Sequence, residues 1–126
     1  MNDKVVLICD DEEGMQRYLK KMIEAEGLPV ETFGDGRSLL ARIEGGAPDD
    51  ASLLIQDMRL PDADGIQILR RVKEVRPALP VVMMTAYACS DVASAALDGG
   101  ARDFLPKPFT REMILGAIRN AMDRVA

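Results

Sequence analysis

Histidine does not occur in this chain of 126 residues, which excludes a histidine general base, a histidine metal ligand and a phosphohistidine carried by the chain itself. Cysteine occurs only twice, as Cys9 and Cys89, without the paired spacing that closes a metal site. Reduced, buried or half-buried thiols are therefore expected. Long apolar runs are missing as well. The longest, such as those from Val5 to Cys9 and from Leu79 to Met84, fall far short of the ~20 residues that span a bilayer, and no basic stretch precedes a long apolar segment at the N-terminus. A cytoplasmic protein with no membrane partner is the expectation. Basic tracts are absent too, and the formal net charge is −5. With no such tract to release counterions from a phosphate backbone, no direct nucleic-acid partner is expected. Internal repeats, low-complexity segments and linkers do not occur.

What is present is an ordinary globular composition, 48% hydrophobic and 29% charged. The length suits one core, so residues 1–126 are expected to form a single domain. Strand-like and helix-like stretches alternate five times. Lys4–Cys9, Pro29–Phe33, the run ending at Asp57, Pro80–Met84 and Arg102–Leu105 are apolar or β-branched runs of strand length. Between and after them lie helical spacings. Met15, Leu19, Met22 and Ile23 share one face of a helix over Glu13–Glu26, and Leu39, Leu40 and Ile43 define a second helix ending at Gly45-Gly46. Ile66, Leu69 and Val72 mark a third helix from about Asp64 to Val75. Ser90–Leu97 is a weakly amphipathic fourth, and Thr110 caps a fifth whose buried face comprises Met113, Ile114, Ala117, Ile118, Ala121 and Met122. This alternation predicts an α/β fold with a parallel sheet covered by helices on both faces.

In such a sheet, right-handed crossovers bring every strand's C-terminal end to one edge, where ligands bind. Asp10-Asp11, Asp57, Thr85 and Lys107 each follow or end a strand, so they converge there. Three clustered carboxylates repel one another and either take up protons or hold a hard cation, for which their short oxygen donors suit Mg²⁺. A lysine ammonium and a threonine hydroxyl beside them supply what a phosphoryl group needs. The pattern predicts a Mg²⁺-dependent phosphoryl site with a carboxylate nucleophile. Taken singly, Asp57 also reads as a turn acceptor, Thr85 as a strand-end hydroxyl, Phe104 as core and Lys107 as a solvated loop charge. Glu12 and Glu13 are assigned to the dipole of the first helix.

Together, Asp10-Asp11, the stretch Asp57-Met58-Arg59-Leu60-Pro61 through Gly65, Thr85-Ala86, and Phe104 with Lys107-Pro108 resemble the receiver domain of a bacterial two-component response regulator, over essentially the whole chain. The resemblance implies a flavodoxin-like, doubly wound fold with five strands in the order 2-1-3-4-5 and five helices. It also implies roles. Asp57 would be the phosphoacceptor, taking its phosphoryl group from a sensor histidine kinase or a histidine phosphotransfer protein. Asp10, Asp11, Asp57 and the backbone carbonyl of Arg59 would hold Mg²⁺, and Lys107, after which a cis peptide bond is expected, would pair with the phosphoryl group. Thr85 and Phe104 would form the switch, coupling phosphorylation to the surface of helix four, strand five and helix five, with a phosphorylation-dependent homodimer as one outcome. Arg59 and Tyr87, two residues beyond Asp57 and Thr85, imply slow loss of the acyl phosphate. Such a protein is a phosphoacceptor switch rather than an enzyme, with at most self-phosphorylation and self-dephosphorylation activity. Two other readings stay open. An aspartate-nucleophile phosphohydrolase uses the same chemistry but carries Asp-x-Asp on its first strand and a cap domain, and a constitutive interaction module would need neither phosphate nor Mg²⁺. Asp62-Ala63-Asp64-Gly65 lacks the ligand series of a calcium loop.

Overall fold

A computed structural model describes residues 5–45, 50–86 and 90–123. Lys4, Gly46, Tyr87 and Cys89, each named above, lie outside the described residues. The elements are β1 (Val5–Cys9), α1 (Glu13–Glu24), β2 (Val30–Phe33), α2 (Gly36–Gly45), β3 (Ala51–Asp57), β4 (Arg59–Leu60), β5 (Ala63–Asp64), α3 (Gly65–Val75), β6 (Val81–Thr85), α4 (Ser90–Asp98), β7 (Asp103–Pro106) and α5 (Arg111–Asp123). Five strands form one parallel sheet in the order β2-β1-β3-β6-β7. Counted within that sheet, this is the expected 2-1-3-4-5. The short strands β4 and β5 pair antiparallel outside it, Arg59 against Asp64 and Leu60 against Ala63.

Alternation along the central strands decides which helix covers which face. Val6, Ile8, Leu53, Ile55, Val82 and Met84 point to one side and pack with Leu19, Met22 and Ile23 of α1 and Ile114, Ala117, Ile118 and Ala121 of α5. Leu7, Cys9, Leu54, Val81 and Met83 point to the other and pack with Leu39 and Ile43 of α2, Ile68, Leu69 and Val72 of α3, and Ala96 of α4. The sheet is therefore buried on both faces, which is why its strands read as continuous apolar runs. Met83 and Met84 are fully buried core residues.

Three boundaries and faces differ from expectation. Helix α1 stops at Glu24 rather than Glu26, because Glu26 N donates to Ile23 O and Gly27 N to Glu24 O in a tightened last turn, and Gly27 has φ 88°. In α3, Ile68 is buried while Ile66 is only half-buried. In α5, Met113 is 40% exposed and does not join the buried face. Its amide donates to Thr110 Oγ1 (3.1 Å), the expected cap, and the stripe Ile114–Ala117–Ile118–Ala121 leaves Met113 one position off the sheet.

Cys9 ends β1 with no exposed surface, and its Sγ lies 3.4 Å from Asp35 O. Burial, reinforced by the negative charges of Asp35, Asp10, Asp62 and Asp57, pushes its thiol up to about 12. At pH 8 its thiolate fraction is then on the order of 10⁻⁴. A brief native pulse of N-ethylmaleimide should leave the Cys9 peptide unmodified in mass-spectrometric mapping, whereas the urea-unfolded chain is labelled fully. Equal labelling in both states would contradict the packing of β1.

Candidate functional site

The C-terminal edge of the sheet is built by register. Cys9 lies opposite Gln56, Asp57 opposite Met84, and Thr85 opposite Pro106, so the residues that follow or end these strands meet at one place. Backbone hydrogen bonds carry the alignment into the loops: Asp10 N donates to Phe33 O (3.0 Å), Met58 N to Met84 O (2.8 Å) and Lys107 N to Thr85 O (2.6 Å). The Lys107–Pro108 peptide bond is cis, as expected.

Asp10 is fully buried, with Oδ1 accepting from Glu12 N (2.9 Å) and Oδ2 from Lys107 Nζ (2.8 Å). Asp57 is 7% exposed, and its Oδ2 accepts from the same ammonium at 3.3 Å. Its Oδ1 has a long contact with Arg59 N, 3.5 Å. Asp11 is exposed, yet carboxylate oxygens of Asp10, Asp11 and Asp57 come within 4.8 Å of one another. Burial raises the pKa of Asp57; Lys107 pulls it down and the charge of Asp10 pushes it up, and the net effect is upward. For Lys107, burial works against the ammonium, but the hydrogen bond and charge of Asp10, then those of Asp57, outweigh it and raise its pKa. Both carboxylates stabilise the ammonium, whereas the charge of Asp10 disfavours that of Asp57.

Thr85 is 2% exposed at the end of β6. Beside it a cavity of about 340 Å³ opens between Met58, Arg59 and Leu60 of the β4–β5 hairpin and Val92 of α4. Phe104, on β7, is half-buried and packs into the cluster on the α2–α3–α4 side of the sheet. The structure thus gathers Asp10, Asp11, Asp57 and Lys107 into one cluster, with Thr85 at the same edge and Phe104 one strand further out.

Four participants were given no role in the site from the sequence. Gln16 of α1 donates through Nε2 to Asp10 O (2.6 Å), fixing the strand end that carries the buried carboxylate. Gln56, fully buried, donates to Gly65 O (2.9 Å) and so ties the residue before Asp57 to the start of α3. Gly65 itself packs against the backbone of Asp57 and Met58. Asp62, in the hairpin, bonds to the start of α2. Gly65 closes the stretch that carries the family resemblance, but nothing in the sequence indicated its contact with the Asp57–Met58 backbone.

Residues 6–119 match the family model of the response regulator receiver domain. The chain belongs to the response regulator receiver family. This receiver is 34% identical over 122 residues to the DNA-binding transcriptional regulator NtrC of Salmonella typhimurium, covering 97% of the receiver and 25% of NtrC. It is 35% identical over 114 residues to the transcriptional regulatory protein TcrA of Mycobacterium tuberculosis, covering 90% and 44%. The chain thus spans a quarter to less than half of these relatives. Among solved structures, it is similar to a CheY-like receiver from Methanospirillum hungatei, with TM-score 0.90, 30% identity and coverage of 97% and 95%. The beryllofluoride-activated receiver domain dimer of NtrC4 gives TM-score 0.89 at 30% identity, covering 97% and 98%. The receiver is a phosphorylation-activated switch of two-component signalling, with the flavodoxin-like fold expected of it. Among the described residues, no helix is long and apolar enough to cross a membrane.

Proposed function

We propose that residues 1–126 form a single receiver domain in which Asp57 is the phosphoacceptor. A carboxylate oxygen of Asp57 attacks the phosphorus of a phosphohistidine on a sensor kinase or phosphotransfer protein. The P–N bond breaks, and the histidine nitrogen leaves with the bonding pair and is protonated. The observation that carries this reading is the Lys107 ammonium placed between two carboxylates, 2.8 Å from Asp10 and 3.3 Å from Asp57, at the edge of the sheet. An ammonium there neutralises charge that develops on the transferred group.

The hard oxygen donors of Asp10, Asp11 and Asp57 fit Mg²⁺, and these residues with the backbone carbonyl of Arg59 would hold it. When bound, Mg²⁺ supplies charge neutralisation to the phosphoryl oxygens. Asp10 and Asp57, buried, keep their carboxylates oriented through Glu12 N and Lys107, and Asp11 reaches in from solvent. Thr85 would donate to a phosphoryl oxygen, and Phe104 would follow it inward, altering the surface of α4, β7 and α5. That surface would control an output domain or partner. The transcriptional regulators among its relatives support such an output, and the NtrC4 dimer supports phosphorylation-dependent dimerisation. The charge of −5 supports a receiver that leaves nucleic-acid contact to another domain. Any catalysis would be limited to its own phosphorylation and dephosphorylation.

The test is intact-mass measurement after incubation with acetyl phosphate and Mg²⁺, followed by borohydride reduction, which converts an aspartyl phosphate to homoserine. One phosphoryl adduct, lost in chelator and mapped to position 57, is the expected result. No adduct with any donor, or an adduct elsewhere, would overturn the assignment.

A further inference from the structure

The β4–β5 hairpin is anchored at both ends. Its base is held by Met58 N on Met84 O and by Gly65 N on Met58 O, both 2.8 Å. Its turn reaches a different part of the molecule: Asp62 Oδ1 accepts from Gly36 N (2.8 Å) and Asp62 Oδ2 from Arg37 N (2.9 Å), the first two residues of α2. Helix N-termini offer unpaired N–H groups, so a carboxylate there is well placed. Yet α2 already has a local cap, since Asp35 Oδ1 accepts from Ser38 N at 2.7 Å. What Asp62 adds is a long-range bond, from 26 and 25 residues along the chain, that uses both carboxylate oxygens. The two amides lower the Asp62 pKa from its ordinary value, Gly36 N contributing most, so the side chain is ionised at neutral pH.

Arg59 lies between these two anchors. Each hairpin strand has only two residues, and so small a ribbon does not hold its own shape in water. Mg²⁺ demands near-ideal octahedral geometry, and a supporting shell that is loose by about 1 Å is enough to spoil such a site. On the reading above, in which the Arg59 carbonyl joins Asp10, Asp11 and Asp57 around the cation, we propose that Asp62 is a positioning residue. By clamping the hairpin turn to the start of α2, it fixes the Arg59 backbone for cation binding while touching neither the cation nor the phosphoryl group.

Mn²⁺, followed as free ion by electron paramagnetic resonance, is a suitable probe in the absence of any phosphodonor. Asp62→Ala should weaken Mn²⁺ binding about 10-fold, and Asp62→Asn, whose one amide oxygen can keep one of the two bonds, should fall between it and wild type. Asp35→Ala removes a cap from the same helix but leaves the hairpin clamp, so its affinity should stay within about two-fold of wild type. That split separates positioning from mere destabilisation of α2, and denaturant titrations of both alanine variants check that their stabilities are comparable. Unchanged affinity in Asp62→Ala, or an equal loss in Asp35→Ala, would overturn the inference. Asp11→Asn guards the reading it rests on. If that variant also binds Mn²⁺ as wild type does, the cation site itself is wrong and Asp62 has nothing to position; if it weakens binding while Asp62→Ala does not, only the role of Asp62 fails.

Discussion

Lys107→Met is expected to accept phosphate from acetyl phosphate about 10²- to 10³-fold more slowly than wild type while binding Mg²⁺ more tightly. The two effects come from one ammonium. In the structure, Nζ lies between Asp10 and Asp57, at 2.8 and 3.3 Å, and it must share those carboxylates with any metal that enters. Unit charges about 4 Å apart at an effective dielectric constant near 20 interact by about 4 kcal/mol, so Lys107 and a divalent cation compete strongly. Solvent on the Asp11 side and relaxation of the loops reduce this. A gain of about 1.4 kcal/mol, or tenfold in Mg²⁺ affinity, is the expected remainder.

The rate moves the other way for two reasons. Removing Lys107 takes away the donor that would meet the phosphoryl oxygens. It also removes the pull that opposes burial and Asp10 in setting the Asp57 pKa, so the carboxylate holds its proton to higher pH and less of it is nucleophilic. Saturating Mg²⁺ restores part of the second loss and none of the first. Calorimetric titration with Mg²⁺, paired with the time course of the intact-mass adduct, measures both quantities. A variant that lost affinity and rate together would show that Lys107 acts chiefly by holding the site in shape, and would defeat the assignment of its charge to the phosphoryl group.

Much of this was legible in the sequence, for a reason visible in the packing. A sheet buried on both faces leaves apolar runs at Val5–Cys9, Leu53–Ile55 and Val81–Met84, and polar residues interrupt them only where strands end. The carboxylates and the lysine could therefore be placed at one edge from their position after each run. The β4–β5 hairpin was not legible. Its strands are too short for any periodicity, and the residues from Pro61 to Gly65, although part of the stretch that carries the resemblance, show no pattern that marks a hairpin. Asp62 is an exposed carboxylate whose partners lie 25 and 26 residues away, a pairing that no local pattern encodes. Gln16 and Gln56 were missed for the same reason, because a buried amide bound to one backbone carbonyl leaves no trace in spacing. Met113 was placed inside because helical spacing alone does not locate the edge of a buried stripe to within one residue.

Gly65→Ala should destabilise the receiver by about 3 kcal/mol and slow phosphorylation at least about tenfold, although it adds a single methyl group. A Cβ at Gly65 would stand 2.6 Å from Met58 O, 2.7 Å from Met58 Cα and 2.8 Å from Asp57 O. All three are backbone atoms, so no rotamer change relieves the overlap. The hairpin must move away from α3, stretching the bond from Gly65 N to Met58 O and the bond from Gln56 Nε2 to Gly65 O. Gln56 Oε1 is already buried without a partner among the described residues, so losing the other half of that amide's bonding leaves a fully buried polar group unsatisfied. The displaced atoms belong to Asp57 and its neighbour, which is why rate falls with stability. Two other glycines set the scale. At Gly36 the nearest atom is Ile68 Cδ1 at 2.7 Å, the end of a flexible side chain, so Gly36→Ala should cost no more than about 1 kcal/mol. At Gly116, within α5, nothing lies within 4 Å, and Gly116→Ala should stabilise by about 0.8 kcal/mol through helix propensity. Urea titration of the three variants should rank them Gly116→Ala, wild type, Gly36→Ala, Gly65→Ala from most to least stable. A Gly65→Ala protein as stable and as readily phosphorylated as wild type would mean that the contact between the Asp57–Met58 backbone and α3 does not hold the site.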